Sequence, residues 1–122
     1  MSIEAAENLR AAEALLSALM GLGLQRAVLC PGSRSGPLAL AASRLESHGL
    51  ALTTGIDERS AGFFALGQTR ADGQPTAVIT TSGTAVANLL PAAVEADFSA
   101  LPLLLLTADR PERLKACGAN QT

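Results

Sequence analysis

A chain of 122 residues has the length of one domain, and a domain of that size buries roughly two-thirds of its unfolded surface around a single core. With 48% hydrophobic residues, 16% charged residues and a formal net charge of −2, the composition excludes disorder and offers no broad basic field for nucleic acid, which leaves small molecules or other protein as expected partners. Eight of the nine basic residues are Arg, with Lys115 the exception, so positive charge comes as planar forks suited to carboxylates and phosphates.

In chain order, Leu9, Ala12, Leu16 and Leu19 recur at helical spacing ahead of Gly21 and Gly23, which predicts an amphipathic helix ended by glycine. Ala27 to Cys30 reads as a short strand, and the turn-rich run Pro31-Gly32-Ser33-Arg34-Ser35-Gly36-Pro37 leads into a helix reaching about Glu46. Leu50 to Thr54 is a second strand. Gly55-Ile56-Asp57 then opens a helix from about Glu58 to Ala71, followed by a turn at Asp72 to Pro75 and a third strand over Thr76 to Thr80. Thr81-Ser82-Gly83-Thr84 opens one helix through about Phe98. Leu101 to Thr107 is an apolar strand of the kind buried on both faces of a parallel sheet. Strand and helix in alternation predict the α/β class, a parallel sheet with helices on both faces. The loop-like end at Cys117 to Thr122 is expected to leave that fold incomplete at its C-terminus.

The run Ala100 to Leu106 falls far short of the ~20 apolar residues a membrane-spanning helix needs. The acidic start MSIEAAENLR does not read as a signal peptide, so no membrane insertion and a cytoplasmic location are expected. Cys30 and Cys117 lack metal-ligand or redox spacing and are expected to be small buried residues; no metal site is expected in the chain itself. The sole histidine, His48, lies between a helix and a strand and reads as a solvated loop residue.

In open α/β sheets ligands bind beyond the carboxyl ends of the strands, so four loops carry the candidate chemistry. The first, Cys30 to Ser35, offers Gly32, two hydroxyls and Arg34 to an anion, or else is a tight turn whose serine caps a helix. The second is Gly55 to Ala61. Asp57 suits an N-cap there, while Glu58 is followed by Ser60, Ala61 and Gly62, small residues that leave room beside its carboxylate. The third, Thr81 to Thr84, presents a helix N-terminus that serves a ligand or only a cap. The fourth is Thr107 to Pro111, with Asn120 and Gln121 beyond it. No GxxxxGK[ST] phosphate loop is present, and Gly21-Leu22-Gly23 precedes the first strand, on the wrong side for a dinucleotide fingerprint.

The succession of a strand, an acidic turn with Glu58, a small-residue helix, a strand and a Thr-Ser-Gly turn resembles the pyrimidine-binding domain of thiamine diphosphate enzymes. Longer strings narrow the resemblance: CPGSRSGPL at Cys30 to Leu38, DERSAGFFALG at Asp57 to Gly67, TSGTAVANLLPA at Thr81 to Ala92, LTADRP at Leu106 to Pro111 and CGANQT at Cys117 to Thr122. Together they are similar to the 2-succinyl-5-enolpyruvyl-6-hydroxy-3-cyclohexene-1-carboxylate synthase family of menaquinone and phylloquinone biosynthesis. Gly36 and Gly62 stand where that pattern has other small residues.

The resemblance implies an N-terminal pyrimidine-binding domain over residues 1–122, truncated and inactive alone. The full-length enzyme is implied to decarboxylate 2-oxoglutarate and add the four-carbon unit to isochorismate. It implies thiamine diphosphate as cofactor, with Mg2+ or Mn2+ held by a Gly-Asp-Gly motif on a diphosphate-binding domain not matched here. A homo-oligomer, dimer or tetramer, with its site between subunits is also implied. By the same resemblance Glu58 hydrogen-bonds the aminopyrimidine ring, and burial beside small apolar neighbours favours the neutral carboxyl that this requires. Thr81, Ser82 and Gly83 line the cofactor crevice or only shape the helix start. Ser33, Arg34, Arg110, Asn120 and Gln121 are the expected substrate-binding set. Arg59 reads equally as a structural ion pair, and Arg113 and Lys115 as a solvated face. An acetolactate synthase relative and a non-catalytic ligand-binding module are the alternatives.

Overall fold

The computed structural model describes residues 1–118. Helix α1 spans Ile3–Gly21, started by the Ser2 hydroxyl accepting from the Ala5 N–H at 3.1 Å, and buries Leu9, Ala12 and Leu16. Strand β1 (Arg26–Leu29) leads through the Pro31–Ser35 loop to α2 (Gly36–Leu45), which carries Pro37 in its first turn. A single 3-10 turn over Glu46–His48 then enters β2 (Ala51–Thr54). Helix α3 (Glu58–Asp72) begins on the Asp57 cap and ends on Gly73, whose φ of +74° is a left-handed closure that glycine adopts without strain. Strand β3 covers Thr76–Thr80 as expected.

The single helix expected through Phe98 is instead two, α4 (Thr84–Ala87) and α5 (Leu90–Phe98). Pro91 explains the break: it has no N–H for the Ala87 carbonyl, and its ring crowds that carbonyl, so the chain restarts with proline in the first turn of α5. Strand β4 (Leu103–Thr107) follows, and the described chain closes with a 3-10 turn at Glu112–Leu114.

The four strands form one parallel sheet in the order β2-β1-β3-β4. Side chains alternate across it. Ala27, Ala77 and Ile79 meet α1 and α2 on one face through Leu9, Leu16, Ala41 and Ala42, whereas Val28, Cys30 and Val78 meet Ala61 and Ala65 of α3, and Leu89, on the other. Helices therefore cover both faces, as the alternation of elements predicts. The chain moves from β1 to β2 across one face, then to β3 and β4 across the opposite face, so the direction of winding reverses between β1 and β3. Much of this core is alanine, which lets helices lie close to the sheet. Gly62 extends the pattern to helix on helix: a Cβ there would stand 3.0 Å from Ala92 Cβ and 3.4 Å from Leu89 Cδ2. Gly62 thus seats α3 against α5, not an open space beside Glu58.

Strand β4 departs from its expected burial. It is an edge strand, and Leu105 is 37% exposed while Leu103, Leu104 and Leu106 are only partly buried. Its leucines pack on both faces, Leu104 and Leu106 against the cluster of α1 and α2 and Leu103 against that of α3, but only partly, because no strand lies beyond β4.

At the amino end of the sheet Arg26 ties three elements together. Its guanidinium donates to Asp72 Oδ2 and Oδ1 at 2.6 and 2.7 Å, to the Gln74 carbonyl at 2.9 Å and, through Nε, to the buried Thr76 hydroxyl at 2.7 Å. The fork geometry suits this planar bidentate pairing, and it holds the Asp72 carboxyl down at about 2. His48 is exposed beside Ser47, as expected. Cys30 is buried as expected, but Cys117 is exposed, its thiol donating to the Leu114 carbonyl at 2.9 Å in a turn with no core to enter.

Candidate functional site

The candidate loops leave the sheet from one edge, and a row of backbone hydrogen bonds fixes their order. Gly55 N–H donates to the Leu29 carbonyl at 2.9 Å, Cys30 N–H to the Ile79 carbonyl at 2.9 Å, and Ala108 N–H to the Thr80 carbonyl at 3.0 Å. The exits of β2, β1, β3 and β4 are thus laced side by side. The site at their carboxyl ends is centred where β1 and β3 diverge, the position at which open α/β sheets create a crevice.

The β1 loop is closed on itself. Ser35 is 1% exposed and its hydroxyl donates to the Gly32 carbonyl at 3.1 Å, so it serves the loop and does not make the side-chain helix cap that remained open in the sequence. That tie leaves Ser33 exposed and Arg34 half-buried on the outside of the turn. Gly32 lies directly over the β3 loop: a Cβ on it would stand 2.7 Å from Thr81 Cγ2 and 3.0 Å from Thr81 Oγ1. The β1 loop and the Thr81–Gly83 turn are therefore in contact at Gly32 and Thr81.

Thr81 and Ser82 are 1% and 2% exposed, and Gly83, at φ +74° and ψ −131°, starts α4. The Thr81 hydroxyl is buried and makes no hydrogen bond among the described residues. A buried hydroxyl without a partner carries a desolvation cost of about 1–3 kcal/mol, which a ligand group at this crevice would relieve. This is the observation that fits a polar cofactor to the β3 loop.

Glu58 occupies the first turn of α3 and is half-buried. It shares a helix face with Ala61, Gly62 and Ala65, all buried, so its side chain begins the stripe that packs on the sheet. Its neighbour Asp57 has a different task. The Asp57 carboxylate accepts from the Ser60 hydroxyl at 2.7 Å and the Ser60 N–H at 2.8 Å, bonds that lower its pKa and fasten the helix start. The two acids also register on Cys30 at the end of β1. Burial pushes that thiol up to about 11, with the charges of Glu58 and then Asp57 adding to the rise. Glu58 thus stands close to the divergence of β1 and β3, and Cys30 is a site neighbour that sequence spacing could not single out.

Close approach at this corner depends on small residues. A Cβ on Gly55 would stand 2.8 Å from Ala61 Cβ and 3.4 Å from Val28 Cγ1, so the β2 exit lies directly on α3. A cleft of ≈ 240 Å³ opens alongside, lined by Val28, Thr53, Ile56, Asp57, Ala61 and Phe64 among others. It follows the β2 edge and reaches neither Glu58 nor Arg34, so it is separate from the convergence of the loops.

Beyond β4, Arg110 is buried, with 4% of its surface exposed, and its backbone N–H donates to Asp109 Oδ1 at 2.7 Å. Lys115, read from sequence as a solvated charge, is 40% exposed and pairs with Asp109 and Glu112, both at 3.0 Å. Those pairs lie on the surface of the turn after β4, which is closed by Leu114 N–H on the Pro111 carbonyl at 2.9 Å and Lys115 N–H on the Glu112 carbonyl at 3.0 Å. Arg59 and Arg113 are exposed; Arg59 acts on Asp57 only as a nearby charge. Asn120 and Gln121 lie outside the described residues. Among the described residues no group of three or more His, Cys, Asp or Glu gathers as a metal site, and no helix is long and apolar enough to cross a membrane.

A parallel sheet with its candidate groups at the β1/β3 divergence and an acid at the head of α3 is the arrangement of a cofactor-binding α/β domain. Residues 9–122 match the family described as thiamine pyrophosphate enzyme, N-terminal TPP binding domain, and the chain belongs to that family. More narrowly, it is 99% identical over all 122 residues to a 2-succinyl-5-enolpyruvyl-6-hydroxy-3-cyclohexene-1-carboxylate synthase of Synechococcus sp. (strain RCC307), covering 21% of that protein. Proteins of the same name from Synechococcus sp. (strain WH7803) and Prochlorococcus marinus (strain MIT 9313) are 72% identical over 109 residues and 71% identical over 102. These alignments take in 88% and 83% of the chain, and 19% and 18% of the relatives. The chain therefore spans about a fifth of the length of the relatives it matches.

Proposed function

We propose that this domain supplies one wall of a thiamine diphosphate site in a synthase that decarboxylates 2-oxoglutarate and adds the four-carbon unit to isochorismate. The observation that carries the proposal is the convergence of Glu58, the Ser33–Arg34 turn, the Thr81–Gly83 turn and the start of the Arg110 turn along one edge of the sheet. The near-identity to a synthase of that name supports the choice of reaction. Thiamine diphosphate, when bound, supplies the electron sink for decarboxylation.

In this reading the Glu58 carboxyl holds a proton against a nitrogen of the aminopyrimidine ring, which shifts the ring toward the tautomer whose exocyclic nitrogen accepts a proton. The sheet-facing stripe behind Glu58 fixes its direction. The Thr81 hydroxyl and the backbone around Ser82 and Gly83 receive the polar edge of the cofactor. Ser33, Arg34 and Arg110, with Asn120 and Gln121, hold substrate carboxylates, for which an Arg fork gives charge-assisted and bidentate contacts. We assign the divalent cation, Mg2+ or Mn2+, to a diphosphate-binding domain elsewhere in the full-length protein. A second subunit completes the site, and the enzyme works in the cytoplasm.

The test is Glu58→Gln in the full-length protein, read by hydrogen–deuterium exchange at the cofactor's thiazolium C2 alongside turnover. Proton transfer by a positioned side chain contributes about 10²–10⁴-fold, and a fall in exchange of that order is expected with cofactor still bound. Exchange close to that of the unaltered protein rejects the role of Glu58.

A further inference from the structure

We propose that Gly32 is a positioning residue, whose contact with Thr81 sets where Ser33 and Arg34 stand. The inference rests on the reading that these two side chains hold a substrate carboxylate. Gly32 does not have the positive φ that would demand glycine, so its backbone conformation admits alanine. What excludes a side chain is proximity. The Cβ of an alanine would come within 2.7 Å of Thr81 Cγ2 and 3.0 Å of Thr81 Oγ1.

Thr81 cannot easily retreat. It is 1% exposed, follows the fully buried end of β3 and precedes buried Ser82. The β1 loop must therefore rise. Its two ends are held, by Cys30 N–H on the Ile79 carbonyl at one side and by the burial of Ser35 at the other, so the displacement falls on Pro31 to Arg34. Ser33 and Arg34 are carried with Gly32, to whose carbonyl the Ser35 hydroxyl also ties the turn. The same contact joins the proposed substrate loop to the proposed cofactor loop, so neither can shift without pressing on the other.

The experiment is steady-state kinetics of the full-length protein with saturating cofactor and 2-oxoglutarate and with isochorismate varied. Misplacing a binding group by about 1 Å costs on the order of 10²-fold. For Gly32→Ala a rise of about tenfold or more in KM for isochorismate is expected, with kcat changed much less. In an Arg34→Ala background the same substitution should add little, because residues acting through one group are not additive. An unchanged KM in folded Gly32→Ala, or a full additional loss in the Arg34→Ala background, overturns the positioning role. An unchanged KM in Arg34→Ala alone overturns the underlying assignment of Arg34 instead. If Gly32→Ala does not fold, Ser35→Ala, which removes the loop's other tie, decides: a KM rise of about threefold is expected, and no rise overturns the proposal.

Discussion

Helix α3 carries two glycines whose replacement by alanine should have different effects. In a helix interior Gly is about 0.8–1.0 kcal/mol less favourable than Ala, so both sites offer the same local gain. At Gly67 nothing lies within 4 Å of an added Cβ and the residue is exposed, so that gain is realised in full. At Gly62 the new methyl meets Ala92 Cβ at 3.0 Å and Leu89 Cδ2 at 3.4 Å. Leu89 can rotate, but Ala92 Cβ is fixed to the backbone of α5, so the two helices must part by a few tenths of an ångström. Overpacking of a buried contact costs about 1–3 kcal/mol, which cancels or exceeds the helical gain. Amide hydrogen exchange of α3 in the full-length protein separates the cases, because tenfold in protection is about 1.4 kcal/mol. Gly67→Ala should slow exchange about fivefold; Gly62→Ala should leave it equal or faster, with the effect reaching α5. Equal slowing by both refutes the close seating of α3 on α5.

Asp72 is held at about 2 by Arg26, so its contribution to stability is complete above the ordinary carboxylate range near 4 and is lost as pH falls from there through 2. Asp72→Asn should flatten the acid limb of the unfolding profile in that window; an unchanged limb rejects the pairing. The buried Cys30 thiol, pushed up to about 11, should resist alkylation near neutral pH while exposed Cys117 reacts, as peptide mass spectrometry of the native protein would show. Gly55→Ala should lift the first turn of α3, since its methyl would lie 2.8 Å from Ala61 Cβ. Turnover should then fall together with faster Cys30 alkylation, and full activity with an unaltered thiol contradicts the proposed packing.

Most elements were legible because their signals are local. The strand at Thr76–Thr80 and the helix from Glu58 carry their own turn residues, and the structure returns them within a residue or two. What escaped depended on contacts distant in sequence. The break between α4 and α5 at Pro91 escaped, the sequence reading as one helix through about Phe98. The Leu103–Leu106 run looked doubly buried, and only the strand order shows it at an edge. Gly62 looked like space beside a carboxylate because a sequence does not state which helix faces it. For the Cys30–Ser35 loop the sequence left an anion site and a serine cap open, and the Ser35 hydroxyl turns back to Gly32 instead of capping the helix.

The division of labour between the two acids of the α3 start follows from geometry that residue type alone does not reveal. Asp57 stands outside the helix and spends its carboxylate on Ser60, so it is satisfied within its own turn. Glu58, one residue on, is rotated by about 100° around the helix axis. That places it on the stripe of Ala61, Gly62 and Ala65 and within reach of the field at Cys30. Exchanging the two residue types would leave a cap that is too long and an acid that is too short. The small residues of α3 then matter in a way the sequence suggested only in part: Ala61 lets Gly55 and β1 approach, and Gly62 lets α5 approach, so the stripe behind Glu58 is closed by packing on both sides.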